Sequence, residues 1–293
     1  MTNRKVLVTG ATGKIAGQLL PGLREKYELI LLDVKTTNRQ GDQIEGVQIA
    51  DLTVKDRDSY RHHFQGVDAV IHCAFVGIPT TTSGDDSDTK FWSEFANVQM
   101  AYNIFQTALE EGVRRVVMAS SNHAADYYEP LILDGNWDYV NPHDRALSDN
   151  YYGWAKEAYE HLGFVFAVGK QAGRPQTGRP LENVQIRIGG PREDDLERIE
   201  PGNLRRMRRS LAVYISDRDM QQLFIKSIET EDIRDERGVP FQIFYGISGN
   251  SHAFWSIANA RKIIGYQPQD NSERRFAPLI ARHIAAAKEN DVT

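Results

Sequence analysis

Cys73 is the only cysteine in this 293-residue chain. A lone thiol closes no internal disulfide and suits a reducing cytoplasm. It ends an apolar stretch, 67–73, with no general base at suitable spacing, so it reads as a small buried side chain. Long apolar runs are missing too. The longest are of strand length, far short of the roughly 20 residues a membrane-spanning helix needs, so no membrane contact is expected. Basic charge is not in surplus. Lys and Arg number 35 against 40 Asp and Glu, a net charge of -5, which argues against a nucleic-acid partner. Met1-Thr-Asn-Arg-Lys5 runs straight into the first apolar stretch, so no signal peptide is expected. There is no internal repeat, no low-complexity tract and no Gly-x-Ser-x-Gly turn of a serine hydrolase. Asp85, Asp86 and Asp88 crowd the loop 77–89 but lack the glycine and closing glutamate of a calcium loop. A solvated loop and no metal are expected there.

What is present begins with 6–17, VLVTGATGKIAG. A short β-branched run feeds a glycine-rich turn, which opens into a helical segment over 14–26. A second apolar run, 28–33, ends in Asp33. Strand, turn, helix, strand and acid in that order mark a dinucleotide site. Gly10 lets the chain turn tightly. Gly13 lets the backbone approach a pyrophosphate, and Ala16 is small enough for the helix to lie on the sheet. Thr12, Lys14 and Ile15 complete the cradle, where the N–H groups of the helix start face the phosphates. Asp33 is placed to accept from both adenosine ribose hydroxyls and repels a 2′-phosphate, so NAD is the expected cofactor. A phosphate accommodated by Lys35 or Arg39 would reverse that preference.

The first half alternates strand and helix. Strands are expected at 5–9, 28–33, 46–49, 68–73 and 114–119, with helices at 14–26, 55–65 and 92–111. This is the pattern of an α/β fold, a doubly wound parallel sheet. A further helix is expected over 150–166. The Gly/Arg/Pro-rich stretch 169–182 reads as an exposed excursion, and 184–189 returns as a strand. From Pro191 the pattern turns irregular. The chain is therefore divided into a dinucleotide-binding domain, 1–190, and a smaller substrate-binding lobe, 191–293, interleaved with returning sheet elements.

Two further signals carry chemistry. Tyr152 and Lys156 lie four residues apart on a predicted helix and so share one face. A free phenol has a pKa of about 10. A neighbouring ammonium favours its ionised form, which fits the pair to take a proton from a substrate hydroxyl. The run 116–123, VVMASSNH, ends a strand in four polar residues at the expected carboxyl edge of the sheet, where open α/β folds bind ligands. Ser121 is placed to bond the reacting oxygen, and Asn122 and His123 to bond other substrate hydroxyls.

Together, Thr-Gly-x-x-Gly-x-x-Ala, Asp33, the Ser-Ser strand end and Tyr-x-x-x-Lys resemble the extended short-chain dehydrogenase/reductase family, also called the NAD-dependent epimerase/dehydratase family. The resemblance implies a Rossmann-type domain and a catalytic Ser121–Tyr152–Lys156 triad. It also implies Asp51 and Leu52 near the adenine, and Asn97 in a proton relay behind Lys156. Within the family the chain looks most like uronate dehydrogenases. It shares Ser-Ser-Asn-His at 120–123, paired aromatics at Tyr127 and Tyr128, and a similar stretch from Phe244 to Asn271. That likeness implies an arginine for the substrate carboxylate, and Arg209 is the matching candidate. Its planar fork suits a carboxylate.

The chain departs from those enzymes in the longer stretch 130–145, in the excursion 169–182, in Gly77 where a serine is expected, and in the basic run 205–209. The expectation is NAD-dependent oxidation of a sugar-acid hydroxyl, with Tyr152 as base. The alternatives are a sugar-phosphate dehydrogenase, an epimerase of the same family, or an NAD-binding sensor without turnover. A carbohydrate substrate is expected, and the family resemblance implies a homo-oligomer paired through the helices 92–111 and 150–166.

Overall fold

A computed structural model of the chain describes residues 4–77, 86–171, 174–175 and 178–290. Most of the loop 77–89, Asp85 included, and parts of the excursion 169–182 lie outside the described residues. Seven strands form one sheet: β1 (Lys5–Thr9), β2 (Glu28–Asp33), β3 (Val47–Ile49), β4 (Ala69–His72), β5 (Arg115–Ser121), β6 (Glu182–Ile188) and β7 (Phe241–Gly246). The order is β3-β2-β1-β4-β5-β6-β7, and every pair is parallel. This is the doubly wound sheet that the alternation predicts. Its strand order reverses between β1 and β4, the crevice where such folds bind ligands.

Helices cover both faces, as a parallel sheet requires. Helices α1 (Lys14–Arg24), α2 (Asp58–Arg61), α3 (Ser87–Glu110), α4 (Tyr128–Leu133) and α5 (Tyr151–Val168) precede β6. Then come α6 (Leu204–Val213), α7 (Asp217–Glu229), α8 (Ala258–Ile264), α9 (Ser272–Arg275) and α10 (Ala277–Asn290). The pleat sorts the side chains. Val6 and Val8 of β1 join Leu19 and Leu23 of α1 and Leu223 and Phe224 of α7 on one face. Leu7, between them, joins Ile104 and Phe105 of α3 and Tyr159 and Phe166 of α5 on the other. A third cluster gathers Met207 and Leu211 of α6 with Leu196, Ile199 and Phe276.

Several boundaries differ from expectation. The helix expected at 55–65 is a single turn, α2, tightened into a 3-10 turn at His62–Phe64. Helix α3 begins five residues early because the Asp86 carboxylate accepts from the N–H groups of Asp88 and Thr89, a side-chain N-cap. The irregular-looking stretch after Pro191 supplies α7 to one sheet face and β7 to the sheet's edge. Among the described residues no helix is long and apolar enough to cross a membrane.

Candidate active site

A cleft of about 960 Å³ runs along the carboxyl edge of the sheet. The β1–α1 turn forms part of its wall. Gly10 has φ +66, and a Cβ there would stand 2.5 Å from the backbone of Ala74. Glycine is thus needed both for the left-handed turn and for close passage past the chain leaving β4. Gly13 is the N-cap of α1 and offers no side-chain cap, and no acid occupies the first turn. The N–H groups there are left for an anion. Thr12, Lys14 and Ile15 line the same wall. Burial, followed by the charge of Arg192, lowers the pKa of Lys14.

Asp33 ends β2 with its carboxylate already engaged. Oδ2 accepts from the Thr12 N–H at 2.9 Å and the Thr12 hydroxyl at 2.8 Å, and Oδ1 accepts from the Val34 N–H at 2.7 Å. A carboxylate has about four acceptor positions. That leaves Oδ1 room for a single ribose hydroxyl rather than the two expected. Asp51 and Leu52 line the cleft as the resemblance implies, with Asp51 Oδ1 held by the N–H and hydroxyl of Thr53. Lys35 and Arg39 reach the cleft as well. These groups fit a dinucleotide: an uncapped helix start, a backbone cradle and a fixed acid twenty residues beyond Gly13.

Helix α5 brings Tyr152 and Lys156 to the end of β5. The Asn150 side chain caps α5 by accepting from the Gly153 N–H at 2.9 Å. A Cβ on Gly153 would overlap the carbonyl oxygen of His123. That glycine therefore lets α5 lie against the strand end and sets Tyr152 beside His123, with ring centres 5.6 Å apart. The Lys156 ammonium, nearly buried, donates to the Ala119 carbonyl at 3.1 Å and stands 5.2 Å from the centre of the Tyr152 ring. Phe75 meets the Tyr152 ring edge-on at 5.6 Å. Ser121 lines the cleft, and its Oγ accepts from the His123 N–H at 3.2 Å. The structure thus brings Ser121, Tyr152 and Lys156 to one cleft.

The remaining expected residues have more specific partners. The His123 Nδ1 pairs with Asp126 at 2.7 Å, which orients the imidazole. Asn97 spans the backbone of Val76: its Oδ1 accepts from the N–H at 2.7 Å and its Nδ2 donates to the carbonyl at 3.1 Å. Among the described residues it makes no hydrogen bond to Lys156. The Arg209 fork is not open. Its Nε and Nη2 donate to the two oxygens of Glu129 at 2.8 and 3.1 Å. Asn122 donates to the same carboxylate at 2.9 Å. Of the basic run 205–209 only Arg209 lines the cleft, and Arg205 bonds Asp134 on the surface. Cys73 is half-buried rather than buried: it packs against the core yet lines the cleft, and its surroundings push the thiol up to about 12.

Sequence reasoning missed Glu129, Gly153, Asp126 and Glu94. Glu94 lies one helical turn before Asn97, receives its Nδ2 at 3.2 Å, and has its pKa raised by burial. The three-residue spacing to Asn97 was the available signal.

Comparison with known proteins bears on the family and the fold. The model of the NAD dependent epimerase/dehydratase family matches residues 6–181. An NAD-dependent glucose-6-phosphate dehydrogenase of Haloferax volcanii is 29% identical over 282 residues, covering 92% of this chain and 95% of that protein. A uronate dehydrogenase of Pseudomonas syringae pv. tomato is 28% identical over 284 residues, covering 96% and 88%. A mutant uronate dehydrogenase from Agrobacterium tumefaciens, crystallised with NAD, shares the fold. Its TM-score is 0.70 at 23% identity, over 96% of this chain and 90% of that one.

Proposed function

The chain belongs to the NAD-dependent epimerase/dehydratase family and is an NAD-dependent oxidoreductase, and on that premise we propose that it oxidises a hydroxyl of a sugar. The meeting of Tyr152, Lys156 and Ser121 at the sheet's carboxyl edge carries this reading. NAD⁺, when bound, supplies a hydride acceptor. The β1–α1 turn would hold its pyrophosphate and Asp33 its adenosine ribose. Tyr152 takes the proton of the substrate hydroxyl, Ser121 bonds and orients that oxygen, and Lys156 keeps a positive charge beside the phenol. Asn97 fixes the backbone at Val76 and, as the family resemblance implies, is proposed to serve a proton relay behind Lys156.

Two relatives, named for a sugar phosphate and for uronates, favour a sugar as substrate. A free anion clamp at Arg209 has less support. Glu129 fills the fork of Arg209, and the other arginines of its run do not line the cleft.

The active form is proposed to be a homo-oligomer. Trp92, Phe95 and Tyr102 of α3 and Tyr151 and Phe164 of α5 are exposed, and α3 packs on α5. A second copy would cover this aromatic face.

NADH formation with purified protein tests the proposal. The panel is glucose, galactose, glucuronate, galacturonate and glucose 6-phosphate. Turnover of any of them supports the reading. Silence across the panel with tightly retained NAD would instead favour an epimerase, which returns the hydride.

A further inference from the structure

Arg209 and Asn122 line the cleft, yet both spend hydrogen bonds on one internal carboxylate, Glu129 of α4. The Glu129 side chain is only 12% exposed and stands behind them, outside the cleft wall. Its two oxygens meet the Nε and Nη2 of Arg209 in the side-on geometry that a substrate carboxylate would otherwise use. We propose that Glu129 cancels the charge of Arg209 and so reserves this part of the cleft for the uncharged hydroxyl-bearing end of an aldose, against a sugar acid. The inference rests on the sugar-dehydrogenase reading above and names its substrate class.

A carboxylate entering beside Arg209 meets a neutral pair, not a free cation. It also comes close to a second carboxylate in a shielded cleft, where like charges repel more strongly than in water. Displacing Glu129 offers no escape. It would leave a mostly buried carboxylate stripped of its donors from Arg209 and Asn122, which costs more than a surface ion pair returns. A sugar hydroxyl makes neither demand. Arg209 keeps N–H donors beyond the two that Glu129 takes, and these can donate to hydroxyl oxygens. Glu129 thus acts through Arg209 as a positioning residue that sets charge. Specificity arises because the site penalises the wrong partner as well as binding the right one.

The same contact would also suit a brace that aims Arg209 at a substrate carboxylate. One substitution separates the two roles, because they predict opposite signs. Glu129→Gln keeps an acceptor for Arg209 and Asn122 but removes the charge. The measurement is kcat/KM, followed as NADH formation, for glucose against glucuronate and galactose against galacturonate. Wild-type protein prefers the aldose of each pair. Glu129→Gln moves each ratio toward the acid by about tenfold, the equivalent of about 1.4 kcal/mol. A wild-type preference for the acid overturns the proposal. So does a ratio that Glu129→Gln leaves unchanged, as a merely structural role would, or shifts toward the aldose, as a brace would. The wild-type ratio decides even if the variant folds poorly. Absence of turnover with all four sugars and with glucose 6-phosphate overturns the sugar-dehydrogenase reading as well, whereas turnover of glucose 6-phosphate alone, or turnover with the wrong ratio, overturns this inference alone.

Discussion

Thr12 donates both its backbone N–H and its hydroxyl to Oδ2 of Asp33, at 2.9 and 2.8 Å. The glycine-rich turn and the acid at the end of β2 are therefore one rigid unit. The carboxylate is fixed before any ribose arrives, so little ordering is left to binding. A hydrogen bond to a charged group contributes about 1.5–3 kcal/mol. Asp33→Ala is expected to weaken NAD⁺ binding by roughly tenfold to a hundredfold. It should also narrow the preference over NADP⁺, because the charge that repels a 2′-phosphate is gone while Lys35 and Arg39 remain on the cleft. Titration of both coenzymes by calorimetry checks this. An unchanged NAD⁺/NADP⁺ ratio would count against it.

The parts of this unit that sequence made legible are local ones. The run 6–33 carries strand, turn, helix and acid within one short stretch, so periodicity and glycine placement suffice. The second reason for Gly10, its clearance from Ala74, depends on a strand that arrives sixty residues later and has no local mark. The Glu129–Arg209 pair joins residues 80 apart and was equally invisible. Helix α7 shows a different failure. Met220, Leu223, Phe224 and Ile228 have helical spacing and are all buried, but the charges around them made the stretch look irregular. At α5 the Tyr152–Lys156 spacing told which face mattered. It did not tell that Gly153 sets how closely that face meets the turn after β5.

Behind the site lies a buried ion pair. Arg187 of β6 and Glu160 of α5 meet at 2.8 Å with side chains 1% and 4% exposed. Ser120 donates to Glu160 at 2.6 Å, and Arg187 donates to the Tyr245 hydroxyl at 2.8 Å. Breaking such a pair leaves a buried charge uncompensated, at about 3–5 kcal/mol. Glu160→Ala should lower unfolding stability by that amount, and Glu160→Leu combined with Arg187→Met by clearly less. Urea unfolding of the three proteins tests it. Equal losses for single and double variants would show that packing, not charge, dominates.

Asp126 supplies a pH dependence. Burial raises its pKa, but hydrogen bonds from His123 and Asn150, the nearby Ser148 hydroxyl and the charge of His123 together outweigh burial and hold it below the ordinary aspartate range. A carboxyl with a depressed folded-state pKa adds stability above its unfolded value, about 3.9 for aspartate. That stability is lost as pH falls through the folded value. Asp126 also accepts from Asn150, the N-cap of the catalytic helix. Wild-type protein should therefore lose thermal stability more steeply below about pH 4 than Asp126→Asn does. Parallel acid limbs for the two proteins would contradict this.

The most direct test of the account compares Tyr152→Phe with wild type in two assays at once. The first is turnover of the sugar that the panel identifies, and the second is NAD⁺ binding by calorimetry. General acid–base groups contribute about 10²–10⁴-fold to rate. Tyr152→Phe is expected to lose at least that much kcat, while its NAD⁺ affinity stays within about threefold of wild type, under 1 kcal/mol. Wild-type turnover in Tyr152→Phe would contradict the assignment of Tyr152 as the base.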